Sequence, residues 1–183
     1  MGGGTSTGTG GGETAVITGI PVFPEQYRTQ RVLLQSAAFE GYQRFLVALD
    51  GSPLSALSNQ ITICYMDANA KPLLLLSGDD ASLLTTVLAP NKAYTALMLN
   101  RDTKQVGARM RELHVAPPSY GDARITDFAG GVLIRNQSVG VVGAVGVSGA
   151  TPMQDHALAV LARNQILAPY PEFDYEEADA ADD

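Results

Sequence analysis

The 183-residue chain is 45% hydrophobic and carries a net charge of −7, which fits one globular domain able to bury a core without disulfides or metals. One cysteine and two histidines, with no HxH, HExxH or His/Cys cluster, exclude an intramolecular disulfide and leave no expected metal site built from protein ligands. No apolar run reaches the length of a membrane span, neither half of the body is strongly basic, and the N-terminus lacks a signal-peptide pattern; neither membrane nor nucleic acid is an expected partner, and the expected location is cytoplasmic.

In chain order, the Gly/Thr-rich residues 1–13 are expected to be flexible, and residues 14–169 to form the domain. "TAVITGIPVF" is a short β-like run. "PEQYRTQRVLLQSAAFEGYQRFLVALDG" predicts a helix with Pro24 in its first turn and Tyr27, Leu34, Ala38, Tyr42, Phe45 and Leu46 on one face. "NQITICYMDANAKPLLLLSGDD" predicts a β-hairpin turning at "DANAK", with Cys64 as a small buried hydrophobe. "ASLLTTVLAPNKAYTALMLN" predicts a helix that Pro90 kinks or splits, and "TKQVGARMREL" a shorter one. A long Pro- and Gly-rich connection, "HVAPPSYGDARITDFAG", has the length of a loop that borders a site. "GVLIRN" and "SVGVVGAVGVS" are two further strands, turning near Asn136-Gln137, and "TPMQDHALAVLARNQI" is the closing helix. Two hairpins with helices between them predict an α+β fold, an antiparallel sheet flanked by helices. The last twelve residues, "EFDYEEADAADD", hold seven acidic groups and no basic one, leaving twelve of each sign in the rest of the chain. The segment 170–183 therefore reads as a solvated acidic tail or an electrostatic docking element.

Two segments carry a family resemblance. "YMDANAKPLLLLSGDDASLLTTVLAPNKAYTA" resembles the pattern "VVDAGGHLLAFARMDGA...IA..KA.TA", and "GGVLIRNQSVGVVGAVGVSGATPMQD" resembles "GGVPI..DG.VVGAIGVSG..P.QD". These are the defining segments of the GlcG/HbpS-like family, which includes haem-binding sensor proteins and a domain fused to a corrinoid adenosyltransferase. The resemblance implies a profilin-like fold with a five-stranded antiparallel sheet, a homo-oligomer, and haem as a possible cofactor. The chain departs from the pattern at Asn69 and Ala70, which replace two turn glycines, at Ser77 and Gly78, which replace arginine and methionine, and at Pro90 and His156.

The residues of "GVSGATPMQD" suggest a site. Thr151 can cap the last helix, Pro152 suits its first position, and Gln154 completes a capping box. The glycine-rich turn before it can offer backbone N–H groups to an anion, or Gly149 can serve only to make the strand-to-helix turn. The spacing of Gly143, Gly146 and Gly149 does not meet a dinucleotide fingerprint. Ser148, Gly149, Ala150 and Thr151 are the candidate ligand contacts, together with Lys92 and with Gly130 and Gly131, which lead the long loop into its strand. Lys92 can meet a ligand carboxylate or pair with Asp67 or Asp79. Catalytic candidates are His156, Asp155, His114 and Lys92; the haem axial candidates are His114 and His156. Three functions follow: binding of haem or another small anionic ligand near the 148–151 turn and the 114–129 loop, an enzyme acting on a small carboxylated metabolite, or a structural and assembly module.

Overall fold

The computed structural model describes residues 32–136 and 139–167. The glycine-rich start, the run "TAVITGIPVF", part of the predicted turn at 137–138 and the acidic tail lie outside them. The elements are α1 (Gln35–Asp50), β1 (Thr62–Asp67), β2 (Pro72–Ser77), α2 (Leu83–Leu99), α3 (Thr103–Glu112), β3 (Gly131–Asn136), β4 (Gly140–Ser148) and α4 (Pro152–Leu167). The sheet runs β2-β1-β4-β3, and every neighbouring pair is antiparallel. The fold is thus α+β, as the two hairpins predict. Among the described residues the sheet has four strands rather than the five that the resemblance implies. No helix among them is long and apolar enough to cross a membrane.

Alternation along the strands sends side chains to two cores, one on each face. Ile63, Tyr65, Val132 and Ile134 join Phe45 and Leu49 of α1 and Leu158, Ala162 and Ile166 of α4. Cys64, Met66, Leu133 and Ala144 join Ala89, Ala93 and Ala96 of α2 and Val106 and Met110 of α3. The result is three layers, helices on both sides of one sheet.

The start of the predicted first helix, with Pro24 and Tyr27, lies outside the described residues, and within them residues 32–34 are not helical. Leu34 is extended and α1 begins at Gln35, because the Leu33 N–H donates to the Val142 carbonyl (2.7 Å) and its side chain is buried in the core. The buried face of α1 is Ala37, Ala38, Gly41, Phe45 and Leu49; Leu46 is exposed. The small residues turn inward because a Cβ at Gly41 would run into Ile166 of α4.

Pro90 does not split its helix: α2 is unbroken from Leu83 to Leu99. Pro90 is half-buried, off the Ala89–Ala93 face that meets the sheet, and Thr86, whose carbonyl it leaves free, is partly accessible. That face lies very close to β4. A Cβ at Gly146 would clash with the Ala89 carbonyl, and one at Gly131 with the Lys92 carbonyl. The strands are therefore thinned by glycine to seat the chain's own α2.

The β3 edge is partly closed by α3. Asp102, its N-cap, accepts the Leu133 N–H (2.7 Å), and Thr103 Oγ1 accepts the Gly131 N–H (2.8 Å). Asp102 also faces Arg163 of α4 at 3.8 Å, a tie between helices on opposite faces of the sheet.

Candidate functional site

The close seating of α2 carries Lys92 to the strand ends, where it meets α4. Lys92 Nζ lies 2.7 Å from Asp155 Oδ2, with side-chain exposures of 2% and 4%, and donates also to the Val147 carbonyl (3.0 Å). Asp155 Oδ1 accepts the Ala150 N–H (2.9 Å), and the Gly149 N–H also favours the ionised carboxyl. Burial pushes the Lys92 ammonium down and the Asp155 carboxyl up from their ordinary ranges, while each partner pulls the other back toward its charged form. Gly130 (φ 121°) stands against the pair: a Cβ there would lie 2.9 Å from Asp155 Cβ and 3.0 Å from Lys92 Nζ. Four of the residues singled out in the sequence, Lys92, Gly130, Gly131 and Asp155, thus share one buried cluster with the Gly149–Ala150 turn. Lys92 pairs with neither Asp67 nor Asp79.

The capping box forms: Thr151 N–H donates to Gln154 Oε1 (3.2 Å), the Gln154 N–H points back to Thr151 Oγ1 (3.4 Å), and Pro152 opens α4. The Ala150 N–H points at Asp155, so an anion arriving at the turn meets a donor already engaged by the chain's own carboxylate. Ser148 is buried at the end of β4. His156 is half-buried, with its Nδ1 enclosed. His114 takes no part in this cluster. It is exposed, at φ 53°, just beyond the C-terminus of α3.

A second polar cluster was not legible from the sequence. Asp122 and Arg124 of the long loop clasp Tyr94 of α2. Arg124 Nε reaches Asp122 Oδ1 (3.0 Å) and its Nη2 reaches Oδ2 (2.8 Å); the Tyr94 hydroxyl donates to Oδ2 (2.8 Å) and accepts from Nη2 (2.6 Å). The guanidinium also lies 3.8 Å from the Tyr94 ring centre. These bonds, the Arg124 side chain's first, hold the Asp122 carboxyl far below the usual carboxylate range. Thr95 Oγ1 extends the clasp, accepting the Thr126 N–H (3.1 Å). The loop is thus tied to the helix that carries Lys92. The only sequence signal was an acid and a base two residues apart after Gly121.

The fold and these segments have known counterparts. Residues 51–164, well over half the chain, match the family described as "Haem degrading protein HbpS-like". A 15.0 kDa uncharacterized protein from the dhaT-dhaS intergenic region of Citrobacter freundii is 35% identical over 106 residues, covering 54% of this chain and 70% of that protein. Among solved structures, the PduOC:heme complex aligns with a TM-score of 0.63 at 22% identity, over 75% of this chain and 96% of that one. Klebsiella pneumoniae ORFY gives 0.61 at 24%, over 73% and 90%. A double mutant of Streptomyces reticuli HbpS gives 0.60 at 22%, over 72% and 85%. The two defining segments, the antiparallel sheet and the family match agree, and the chain belongs to the HbpS-like family.

Proposed function

We propose that this protein binds haem, with the loop from His114 to Phe128 as the receiving surface and His114 as the axial ligand. The observation that carries the reading is the make-up of this loop. His114 is exposed, and so are Leu113, Tyr120 and Phe128, apolar side chains of the kind that cover a porphyrin face. Arg124 is more than half exposed even while it clasps Asp122, and can meet a propionate. His156 suits the axial role less well, because it is half-buried in α4 and lies apart from this loop, whereas His114 is exposed. The family supports the reading, since one relative of the same fold forms a complex with heme.

The alternatives keep weaker support. An anionic metabolite at the 148–151 turn would have to displace Asp155 from the Ala150 N–H. An enzyme built on Lys92 and Asp155 would have to free two side chains that neutralise each other.

Hemin titration of the full chain tests the proposal. A Soret band that saturates at one equivalent is the expected result. No spectral change at stoichiometric hemin overturns it.

A further inference from the structure

We infer that the acidic segment 172–183 docks on the basic side of α3 in its own chain. Without that segment the chain carries twelve acidic and twelve basic groups, but they are not evenly spread. Arg101, Lys104, Arg109 and Arg111 fall within eleven residues. The fold brings Arg135 to them, because its Nη2 donates to the Asn100 carbonyl (3.1 Å), next to Arg101. Five of the twelve basic groups thus gather along α3 and its junction with α2.

The acidic groups in the same place do not cancel them. Asp102 is buried, accepts the Leu133 N–H and faces Arg163 of α4. Glu112 is taken by Arg109 (2.8 Å). Asp127 sets its carbonyl against Gly107 of α3 and pairs with none of these arginines. Arg101, Arg111 and Arg135 make no ion pair among the described residues; Arg111 is exposed and the other two are half-buried. Lys104 and Arg111 are seven residues apart, two helical turns, and so share one side of α3.

The acidic segment starts within reach of this side. Arg163, one turn before the end of α4 at Leu167, lies 3.8 Å from Asp102, the N-cap of α3. Residues 168–171 let Glu172 stand at most about 18 Å from Leu167. No residue after Arg163 is basic, so the seven carboxylates of 172–183 have no partner within their own segment. Other cations fit less well. Arg44 also stands by the end of α4, but its Nε donates to the Gln165 carbonyl (2.9 Å) and its Nη1 faces Glu40 (3.9 Å). Lys71 lies beside β2, at the opposite edge of the sheet from β3. One exposed ion pair is worth little, but a tethered segment brings its charges together at high effective concentration. None of these cations is assigned to haem, and the contact stands without that assignment.

Zero-length cross-linking of the full chain with a water-soluble carbodiimide tests the contact. Of the three lysines, Lys92 is enclosed, Lys71 is exposed, and Lys104 lies in the cluster. Peptide mass spectrometry is expected to find 172–183 joined to Lys104 in about tenfold higher yield than to Lys71, as tethering beside one lysine requires. The Lys104 product is expected to fall about five-fold in 1 M NaCl, where the Debye length is about 3 Å. Arg101→Ser with Arg111→Ser leaves Lys104 in place and is expected to lower the product at low salt. An equal mixture of 15N-labelled and unlabelled chains is expected to give products within one isotope only. Equal yields at Lys71 and Lys104 overturn the inference. So does a Lys104 product that neither salt nor the arginine substitutions lower. Products that mix the isotopes overturn it too, and assign the segment to a second copy.

Discussion

Lys92 Nζ on α2 lies 2.7 Å from Asp155 Oδ2 on α4, and this enclosed pair bridges the helices on the two faces of the sheet. A buried pair of this kind adds little over a well-packed apolar pair, but losing one partner strands a charge away from water. Lys92→Met is therefore expected to cost about 3–5 kcal/mol. Adding Asp155→Asn should recover part of that loss, because the amide oxygen can still accept the Ala150 N–H while the stranded charge is gone. Urea unfolding of the two variants checks the order; a single variant as stable as the double contradicts it.

Much of this arrangement was legible in the sequence, and the limits have physical causes. The capping box of Thr151 and Gln154 and the Asp67 turn are local, so their residues announce them; Asp67 Oδ1 accepts the Asn69 and Lys71 N–H groups (2.9 and 3.0 Å). Ala70 holds the left-handed conformation (φ 59°) where the family pattern has glycine, so this turn forms without one. The Lys92–Asp155 pair joins positions 63 residues apart, which no local pattern predicts. The glycines of β4 are plain in the sequence, but the group that Gly146 makes room for, the Ala89 carbonyl of α2, lies in a distant segment.

The Asp122–Arg124–Tyr94 clasp predicts an acid response. The Asp122 carboxyl is held below its ordinary value of 3.8, first by the Arg124 side chain. Its contribution to stability is therefore complete above that ordinary value and is lost as pH falls through the lower folded value. Hydrogen exchange of the Thr126 amide should accelerate on acidification once the intrinsic pH dependence is removed. Asp122→Asn should show the faster exchange already at neutral pH. An unchanged acid profile in that variant would contradict the assignment.

Burial pushes the Cys64 thiol up to about 12, and the side chain is fully enclosed in the core beneath α2. Native protein at pH 8 should resist alkylation by iodoacetamide, and protein in urea should react completely. Mass spectrometry of the two samples decides; fast native labelling would mean that the α2 core opens readily.

Gly130 allows neither a side chain nor an ordinary backbone. Its φ is 121°, and an added Cβ would meet the Val147 carbonyl and both members of the ion pair. Gly130→Ala is expected to destabilise the fold by about 2 kcal/mol or more, the combined effect of backbone strain and overpacking. Gly140→Ala is the useful comparison: it shares a positive φ (84°) but has open space around it. Equal unfolding midpoints for the two would remove the packing argument.

Hemin titration of the wild type beside His114→Ala and His156→Ala, followed at the Soret band, tests the central claim most directly. The account predicts one-equivalent binding that His114→Ala abolishes or weakens strongly and His156→Ala leaves nearly intact. A wild type with no Soret change, or a loss confined to His156→Ala, would contradict it.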